Sequence, residues 1–351
     1  MISTKNNKYN KELLINQLSD FNFSQLKNKE TNFFKNKKIL ITGASGVIGI
    51  NLLFFFNKLN IEKKTKVKID ATYNTSIFDF VKNHFKKDKK IKFIKIDLTN
   101  NKISKKVKYD LIFHCAGYGQ PDKFLKFKSS VYKLNSNVIV DLKDNIKKKG
   151  KFIYLSTTEI YSGNEKKCSE ESIGYTDATH PRSSYIDSKR FGESYVVNCI
   201  NNYTIFRACL IYGPGTKIND GRVLNQVILR AIKNKKIDIY GGLNQFRSNL
   251  FVTDAIIMMV KSVSRTSNQI FNLSNHTMIT LGKIFSMIGK FMNKKLVNHK
   301  SKILGSPKII KISNDKILKT TNYKISINIK EGLLKTISWY RLLDLLDKKK
   351  D

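Results

Sequence analysis

The sequence is poor in cysteine and histidine, and each shortage narrows the range of possible functions. Its four cysteines are Cys115, Cys168, Cys199 and Cys209, which lie far apart and form no CxxC pair. Because no apolar leader precedes them, we expect reduced thiols in a cytoplasmic protein. The five histidines are scattered as well, so no metal site is indicated.

Long apolar runs are also missing, and acidic residues are few. The most apolar stretch, GVIGINLLFFFNKL, is too short and too interrupted to span a bilayer, so we expect no membrane insertion. The 65 basic and 27 acidic residues give a formal net charge of +38. Only eight of the cations are arginines, and the lysines are spread through every segment. This pattern favours a lysine-biased composition over a nucleic-acid-binding surface.

Strand and helix patterns alternate regularly from residue 37 onwards. Apolar strand segments at 37–43, 66–73, 91–98, 109–117 and 151–156 are separated by helical segments, among them 46–59 and 131–150. With 41% hydrophobic residues the chain can bury a large core. We therefore predict an α/β, Rossmann-type doubly wound parallel sheet.

The pattern loosens beyond residue 200. We predict a strand at 203–215, a helix at 222–234, an extended piece turning into a helix at 249–263, a strand at 269–275, and helices at 280–294 and 331–346. These segments predict a smaller C-terminal α/β lobe set against the carboxyl edge of the sheet, where open parallel sheets bind ligands. The resulting division is a polar helical extension (1–36), a dinucleotide-binding domain (37–205), and the remaining strand with a substrate-binding lobe (206–351). The extension either packs on the main domain or pairs with another subunit.

The first predicted strand ends in TGASGVIG, which places Gly43, Gly46 and Gly49 at a strand-to-helix turn. Such a turn lets the backbone approach a pyrophosphate at the helix N-terminus, which indicates dinucleotide binding. An acidic residue ending the second strand would bind a ribose 2′-OH, but that end falls at Asp70, Tyr73 or Asn74. NAD and NADP both stay open, and NAD is favoured.

Two further motifs bear reactive groups. The segment YIDSK spaces Tyr185 and Lys189 one helical turn apart, so that the ammonium can lower the pKa of the phenol and make it a base. The segment STTE follows the fifth strand and offers hydroxyls at Thr157 and Thr158 and a carboxylate at Glu159. A hydroxyl at either threonine would hold a substrate oxygen.

Over residues 37–345 these motifs resemble the extended short-chain dehydrogenase/reductases of the NAD-dependent epimerase/dehydratase type. The resemblance rests on TGASGVIG, DLT (97–99), HCAG (114–117), Asn135 in KLNSN, STTEIYSG, YIDSK, RACLIYGP and FRSNLFVTDAI. The segments HPRSSYIDSKR, NDGRVLNQVILRAI and IYGGLNQFR are similar to those of UDP-glucuronate decarboxylases. Two positions depart from the family's pattern: Leu210 stands where an asparagine is common, and Gly215 where the decarboxylases have arginine.

The resemblance implies roles for particular residues. It makes Thr158, Glu159, Tyr185 and Lys189 catalytic, whereas Asn135 supports the fold and Tyr161 packs nearby without doing chemistry. The cofactor-binding residues are Gly43, Ser45, Gly46, Val47, Ile48, Gly49, Asp97, Leu98, Ala116, Gly117, Tyr185 and Lys189. The substrate-binding residues are Thr157, Arg222 and Arg247, with the two arginines on a diphosphate. Tyr118 and Gln120 belong to the loop at 116–124, which we expect to face the same pocket, and they either bind the substrate or only pack the loop.

The resemblance also implies a reaction. Enzymes of this family oxidise a nucleotide-diphosphate sugar at C4, and its 4,6-dehydratases use an aspartate where this chain has Thr158. We therefore expect an NAD(P)-dependent, decarboxylase-like lyase, and a homodimer as is usual in the family. The alternatives are a 4-epimerase or a 4,6-dehydratase for surface polysaccharide synthesis, and, in another class, a catalytically silent NAD(P)-binding regulator.

Overall fold

The computed structural model of the protein describes residues 2–164, 166–233, 237–240, 242–299 and 311–348. The strands are β1 (Lys38–Thr42), β2 (Lys68–Tyr73), β3 (Ile91–Lys95), β4 (Tyr109–His114), β5 (Ile146–Thr157), β6 (Tyr203–Ala208), β7 (Leu210–Tyr212), β8 (Ile237–Tyr240), β9 (Phe246–Phe251), β10 (Gln269–Leu273), β11 (Met278–Thr280) and β12 (Leu296–His299). Residues 234–236, 241, 300–310 and 349–351 of the predicted C-terminal lobe lie outside the described residues.

The helices alternate with these strands. They are α1 (Ile2–Leu18), α2 (Asn28–Phe33), α3 (Val47–Lys63), α4 (Asp79–Phe85), α5 (Pro121–Lys126), α6 (Lys128–Asn135), α7 (Asn137–Lys143), α8 (Ser183–Cys199), α9 (Val223–Ile232), α10 (Val252–Arg265), α11 (Leu281–Met292), α12 (Asp315–Thr321) and α13 (Ile329–Asp347). Within the described ranges, no helix combines the length and apolar character needed to cross a bilayer.

A central sheet of seven strands runs in the order β10-β6-β5-β4-β1-β2-β3. Each neighbouring pair in it is parallel. One large apolar cluster on α3, α10 and α13 covers one face, and a second cluster on α6, α7 and α8 covers the other. The structure thus confirms the predicted doubly wound parallel sheet, whose strand order reverses beside β1.

Helix α3 shows how the sequence produces this layering. Its apolar residues fill most of its circumference, and the run from Ile48 to Asn57 is buried throughout. A helix that is apolar all round must be enclosed, and α3 packs between the sheet, α1 and α10. Its first turn follows Gly46, at the carboxyl edge of β1.

The helix predicted at 131–150 is interrupted at Ser136 and is wrong beyond Lys143, where α7 ends. Helices α6 and α7 are separated at Ser136, whose φ of −128° is not helical, and β5 begins already at Ile146. The side chain of Asn135 turns inwards and donates to Ser188 Oγ at 3.0 Å. The lysines at 147–149 form an exposed strand end, where Lys147 pairs with Asp110 at 2.8 Å.

Two strand predictions in the C-terminal part also need correction. The segment 203–215 forms two strands, because β6 ends at Ala208 and β7 pairs with β9 in a separate three-stranded sheet. The segment 269–275 contains β10, which pairs with β6 and therefore completes the central sheet instead of belonging to the smaller lobe. Long-range strand pairing decides both the break between β6 and β7 and the sheet that β10 joins. Local sequence does not encode such pairing.

The N-terminal extension packs on the main body. Helix α1 contacts α13 and α3, and Lys58 of α3 donates to the carbonyls of Ser19 and Phe21. Glu30 of α2 is 1% exposed and binds Arg265 of α10. The extension therefore covers the α3–α10 face of the sheet.

Candidate active site

A cavity of about 770 Å³ lies along the carboxyl ends of the central strands. Every residue that the sequence analysis assigns to catalysis, cofactor binding or substrate binding lines this cavity. Two other residues singled out above lie elsewhere: Asn135 is buried against Ser188, and the Tyr161 hydroxyl donates to Asn272 Oδ1 at 2.7 Å. The parallel sheet thus brings segments more than 200 residues apart to one edge.

The glycine turn has the shape that a pyrophosphate requires. Gly43 has φ of +67°, and a Cβ there would lie 2.7 Å from the Cα of Ala116. A Cβ on Gly49 would lie 2.4 Å from the carbonyl oxygen of Gly43. At Gly46 the nearest atom to such a Cβ is 3.4 Å away, so the backbone there faces open space at the N-terminus of α3. The turn therefore fits the diphosphate of a dinucleotide.

The end of β2 narrows the choice among the three residues considered for the ribose. Asp70 lies inside β2, accepts from the Tyr109 hydroxyl at 2.7 Å, and does not line the cavity. Tyr73 and Asn74 do line it. Of the three residues, Tyr73 and Asn74 are therefore the candidates for a ribose at this strand end, and Asp70 is not.

Asp97 follows β3 on the same side of the cavity. Its carboxylate accepts from the Thr99 hydroxyl at 2.7 Å and from the Thr99 amide at 2.9 Å. These bonds hold the pKa of Asp97 below its usual range, and the bond from the Thr99 hydroxyl has the largest effect. Asp97 is thus an ordered acceptor beside Leu98, suited to the adenosine end of a dinucleotide.

Helix α8 places Tyr185 and Lys189 one turn apart on the cavity wall. Lys189 Nζ donates to the Leu155 carbonyl at 2.7 Å and lies 4.8 Å from the centre of the Tyr154 ring. Burial lowers the pKa of Lys189 to about 7. Burial also raises the pKa of Tyr185 to about 12, while the Thr157 hydroxyl and the cations Arg182 and Arg222 lower it.

The three hydroxyls of STTE face three different partners. Ser156 donates to Glu193, Thr158 donates to the Ala208 carbonyl at 3.4 Å, and Thr157 lies beside Tyr185 and lowers the pKa of its phenol. The Thr157 oxygen also accepts the amide of Glu159 at 3.2 Å, at the start of a short 3₁₀ turn. Of the two threonines left open by sequence, Thr157 is the one that meets the phenol.

Arg182 is a site residue that sequence reasoning did not assign. It precedes α8, and its guanidinium binds both carboxylate oxygens of Glu159, with Nε 2.8 Å from Oε2. Phe124 of α5 is a second: its ring stacks on that of Tyr185, with the centroids 4.5 Å apart and the planes 5° apart. Two signals were available for Arg182: the scarcity of arginine, and its place in HPRSSYIDSKR, a segment similar to that of the decarboxylases. Nothing local pointed to Phe124.

Arg222 is balanced by a carboxylate that sequence reasoning also missed. Asp220 accepts from Arg222 Nε at 2.9 Å and from Arg222 Nη2 at 2.7 Å. Gln120 donates to the same carboxylate at 3.0 Å and accepts the amide of Gly221 at 3.3 Å. Arg247 lines the same side and donates to the carbonyl of Phe246 at 2.8 Å.

The fold explains one of the two departures from the family pattern. Gly215 has φ of +98°, and a Cβ there would lie 2.6 Å from Ile50 and 2.8 Å from Asn51. Leu18 of the N-terminal extension lies at the same point. An arginine is therefore sterically excluded. Leu210 lines the cavity and makes its wall apolar at that position.

This sheet, glycine turn and Tyr185–Lys189 pair define a dinucleotide-binding α/β protein of the short-chain dehydrogenase/reductase class. The sequence profile of the NAD dependent epimerase/dehydratase family matches residues 39–274. The match covers more than half of the chain, which therefore belongs to that family.

Known proteins of several activities are similar to the chain. UDP-glucuronic acid decarboxylase 1 of Xenopus tropicalis is 23% identical over 314 residues, which cover 87% of this chain and 72% of the relative. A dTDP-D-glucose 4,6-dehydratase of Dictyostelium discoideum is 27% identical over 295 residues, which cover 78% of this chain and 64% of the relative. The solved UDP-glucuronic acid 4-epimerase of Bacillus cereus, bound to UDP-glucuronic acid and NAD, aligns with a TM-score of 0.74 at 22% identity. The alignment covers 87% of this chain and 99% of the epimerase.

Proposed function

We propose that the protein is an NAD-dependent nucleotide-sugar enzyme that acts through a 4-keto intermediate, and that its reaction is the decarboxylation of a nucleotide-linked uronate. The observation that carries the proposal is that Thr157, Tyr185 and the Glu159–Arg182 pair line the same cavity as the glycine turn, with Arg182 Nε 2.8 Å from Glu159 Oε2. Family membership and the decarboxylases among the relatives support it.

The cavity supplies residues for each part of NAD. The turn at Gly43, Gly46 and Gly49 would hold the pyrophosphate, and Asn74 and Asp97 the adenosine end. Tyr185 and Lys189 would bind the ribose at the nicotinamide end, near Gly117, where a Cβ would lie 3.7 Å from Lys189 Nζ. NAD, when bound, supplies the hydride acceptor and later the hydride donor at sugar C4.

Tyr185 is the base that takes the proton of the sugar 4-hydroxyl. Thr157 lies beside the phenol, where its hydroxyl would hold the same oxygen. A buried phenol resists ionisation, and the nearby cations Arg182 and Arg222 oppose that resistance. Positive charge beside the phenol thus lowers the pKa of the base.

The residues around STTE favour carbon dioxide loss over water loss. A ketone at C4 makes the C6 carboxylate a β-keto acid; the C5–C6 bond breaks, carbon dioxide leaves, and the electron pair enters a C4–C5 enolate. That step needs no acid at C6, and Thr158 offers none because its hydroxyl is bonded to Ala208. Glu159 then positions the ring or manages the proton returned to C5.

The substrate diphosphate is assigned to Arg222 and Arg247, which line the cavity on the side of residues 206–351. Asp220 offsets the charge of Arg222 and fixes the direction of its fork. This places the nucleotide in the C-terminal lobe and the reacting sugar between that lobe and Tyr185.

Product mass tests the proposal directly. The protein is incubated with NAD and, separately, UDP-, dTDP-, GDP- and CDP-linked hexoses and uronates, and each product is analysed by mass spectrometry. A uronate product lighter by one carbon dioxide is expected. A product lighter by one water would contradict the decarboxylase assignment.

A uronate 4-epimerase is the second candidate. The solved UDP-glucuronic acid 4-epimerase supports it through its fold, and the first oxidation step would use the same Thr157 and Tyr185. In the same assay it gives a product of unchanged mass, and nuclear magnetic resonance shows inverted stereochemistry at C4. Catalytic silence toward the whole panel would favour the regulatory alternative instead.

We also propose that the protein forms a homodimer through α6, α7 and α8. These neighbouring helices expose large apolar side chains: Tyr132, Val140, Phe191 and Val197 are each at least 40% exposed. An apolar face of this kind on adjacent helices suits a second copy. Light scattering is expected to give twice the chain mass, and Phe191→Glu is expected to give the monomer.

A further inference from the structure

Arg182 links two site residues that come from different parts of the chain. It binds both oxygens of Glu159, which begins the 3₁₀ turn after β5, and its guanidinium carbon lies 4.8 Å from the centre of the Phe124 ring. Only 11% of the Arg182 side chain is exposed. A bidentate hydrogen bond to a carboxylate fixes the direction of the carboxylate as well as its distance.

Phe124 extends this link to the base. Its ring is 1% exposed and lies flat against Tyr185, with the planes 5° apart. The two rings pack with Val131 and Ile186 in a small apolar cluster separate from both faces of the sheet. The position of the phenol therefore depends on Phe124 more than on the main core.

Resting on the proposed function, we propose that Arg182 and Phe124 are positioning residues that hold Glu159 and Tyr185 in fixed relation across the reacting sugar. The guanidinium orients the carboxylate through two hydrogen bonds, and the phenyl ring transmits its position to the phenol. Neither residue needs to touch the substrate. Lysine at 182 would keep the charge but lose the planar fork and its contact with the ring.

The electrostatics of Tyr185 give this arrangement a measurable signature. The charged groups that face the phenol are Glu159 from the 3₁₀ turn, Arg182 from the start of α8 and Arg222 from the loop before α9. Lys189 of α8 lines the same cavity, but its ammonium donates to the Leu155 carbonyl. Glu159 raises the pKa of Tyr185, whereas Arg182 and Arg222 lower it. Removing Arg182 therefore shifts ionisation of the phenol to higher pH.

The kinetic test compares Arg182→Gln, Arg182→Lys and Phe124→Leu with a matched control, Arg190→Gln. Arg190 lies on the same helix and donates to the carbonyls of Ile160 and Gly174, but it does not line the cavity. We expect Arg182→Gln to lower kcat about 100-fold with little change in KM, and to move the rise of kcat to higher pH. Arg182→Lys recovers part of the pH shift but not the full rate. Phe124→Leu lowers kcat without the pH shift.

A measurement without substrate separates this inference from the proposed function. Tyrosine is isotope-labelled, the Tyr185 signal is assigned with Tyr185→Phe, and its titration is followed by nuclear magnetic resonance in the NAD complex. A higher pKa in Arg182→Gln than in the wild type and Arg190→Gln supports the inference, even if no nucleotide sugar is turned over. Equal titration and equal kcat profiles in Arg182→Gln and Arg190→Gln would overturn it. Circular dichroism checks folding, and Arg182→Lys gives the answer if Arg182→Gln does not fold.

Discussion

At the scale of single residues, the two threonines of STTE differ in what they contact. Thr157 lies in the cavity beside the phenol of Tyr185 and lowers its pKa, whereas Thr158 bonds to a backbone carbonyl at the edge of the cavity. We predict that Thr157→Val lowers kcat about 100-fold, since it removes a hydroxyl from the reacting oxygen. Thr158→Val makes the same change in side-chain shape, and we expect it to lower kcat less than tenfold. Steady-state kinetics on both variants measures the two losses of kcat. A larger loss in Thr158→Val than in Thr157→Val would mean that Thr158 holds the reacting oxygen.

Asn74 makes a second prediction at this scale. It lines the cavity just after β2, while Asp70 is engaged by Tyr109 away from it. A carboxylate at position 74 would accept from a ribose 2′-OH and repel a 2′-phosphate, so Asn74→Asp should raise the preference for NAD over NADP about tenfold, which corresponds to ~1.4 kcal/mol. Calorimetric Kd values for both dinucleotides measure it. An unchanged ratio would mean that Asn74 does not meet the ribose.

At the scale of elements, a buried charge cluster attaches the N-terminal extension. Glu30 of α2 accepts from Arg265 at 2.9 Å and lies 3.9 Å from Lys261, which is 2% exposed. Glu30→Gln leaves those cations buried without their counter-charge, so we predict a loss of about 3 kcal/mol in the free energy of unfolding. Chemical denaturation measures it. Glu331→Gln, at an exposed pair with Lys335, is the control and should change stability by less than ~0.5 kcal/mol.

Elements were predictable where local pattern decides them. β1, the glycine turn and α3 follow from a short apolar run, three glycines and a long apolar helix, and the predicted site residues on them line the cavity. The break at Ser136 and the pairing of β10 with β6 depend on contacts distant in sequence. The role of Phe124 depends on such a contact too, because its partner Tyr185 lies on another helix. Asp220 lies only two residues from Arg222, but its contact with Gln120 joins segments 100 residues apart.

At the scale of the whole molecule, one buried histidine links the two halves of the sheet to α6. His114 of β4 accepts from the Thr42 hydroxyl of β1 at 2.9 Å and donates to the Leu134 carbonyl at 2.9 Å. Burial lowers the pKa of His114 from 6.5 to about 4. The His114 imidazole therefore binds a proton near pH 6.5 in the unfolded chain, but only near pH 4 in the folded protein.

This proton linkage predicts acid sensitivity of the fold. Between pH 6.5 and 4 the free energy of unfolding should fall by about 3 kcal/mol through His114, and stay constant in this respect above that range. His114→Gln, which can make both hydrogen bonds without titrating, should flatten the slope, whereas exposed His276→Gln should not. Denaturation series across the pH range measure both. Parallel slopes in wild type and His114→Gln would assign the effect to other groups.

The contact between α1 and α13 has a consequence for how the protein is made. Gln17 bonds to Ser338 at 3.0 Å, Lys335 pairs with Asp20 at 2.7 Å, and Leu14 and Leu18 of α1 are fully buried. During translation α1 leaves the ribosome more than 300 residues before α13 does. Until then its apolar side lacks its partner, and a chaperone that binds exposed leucines has its best opportunity on α1.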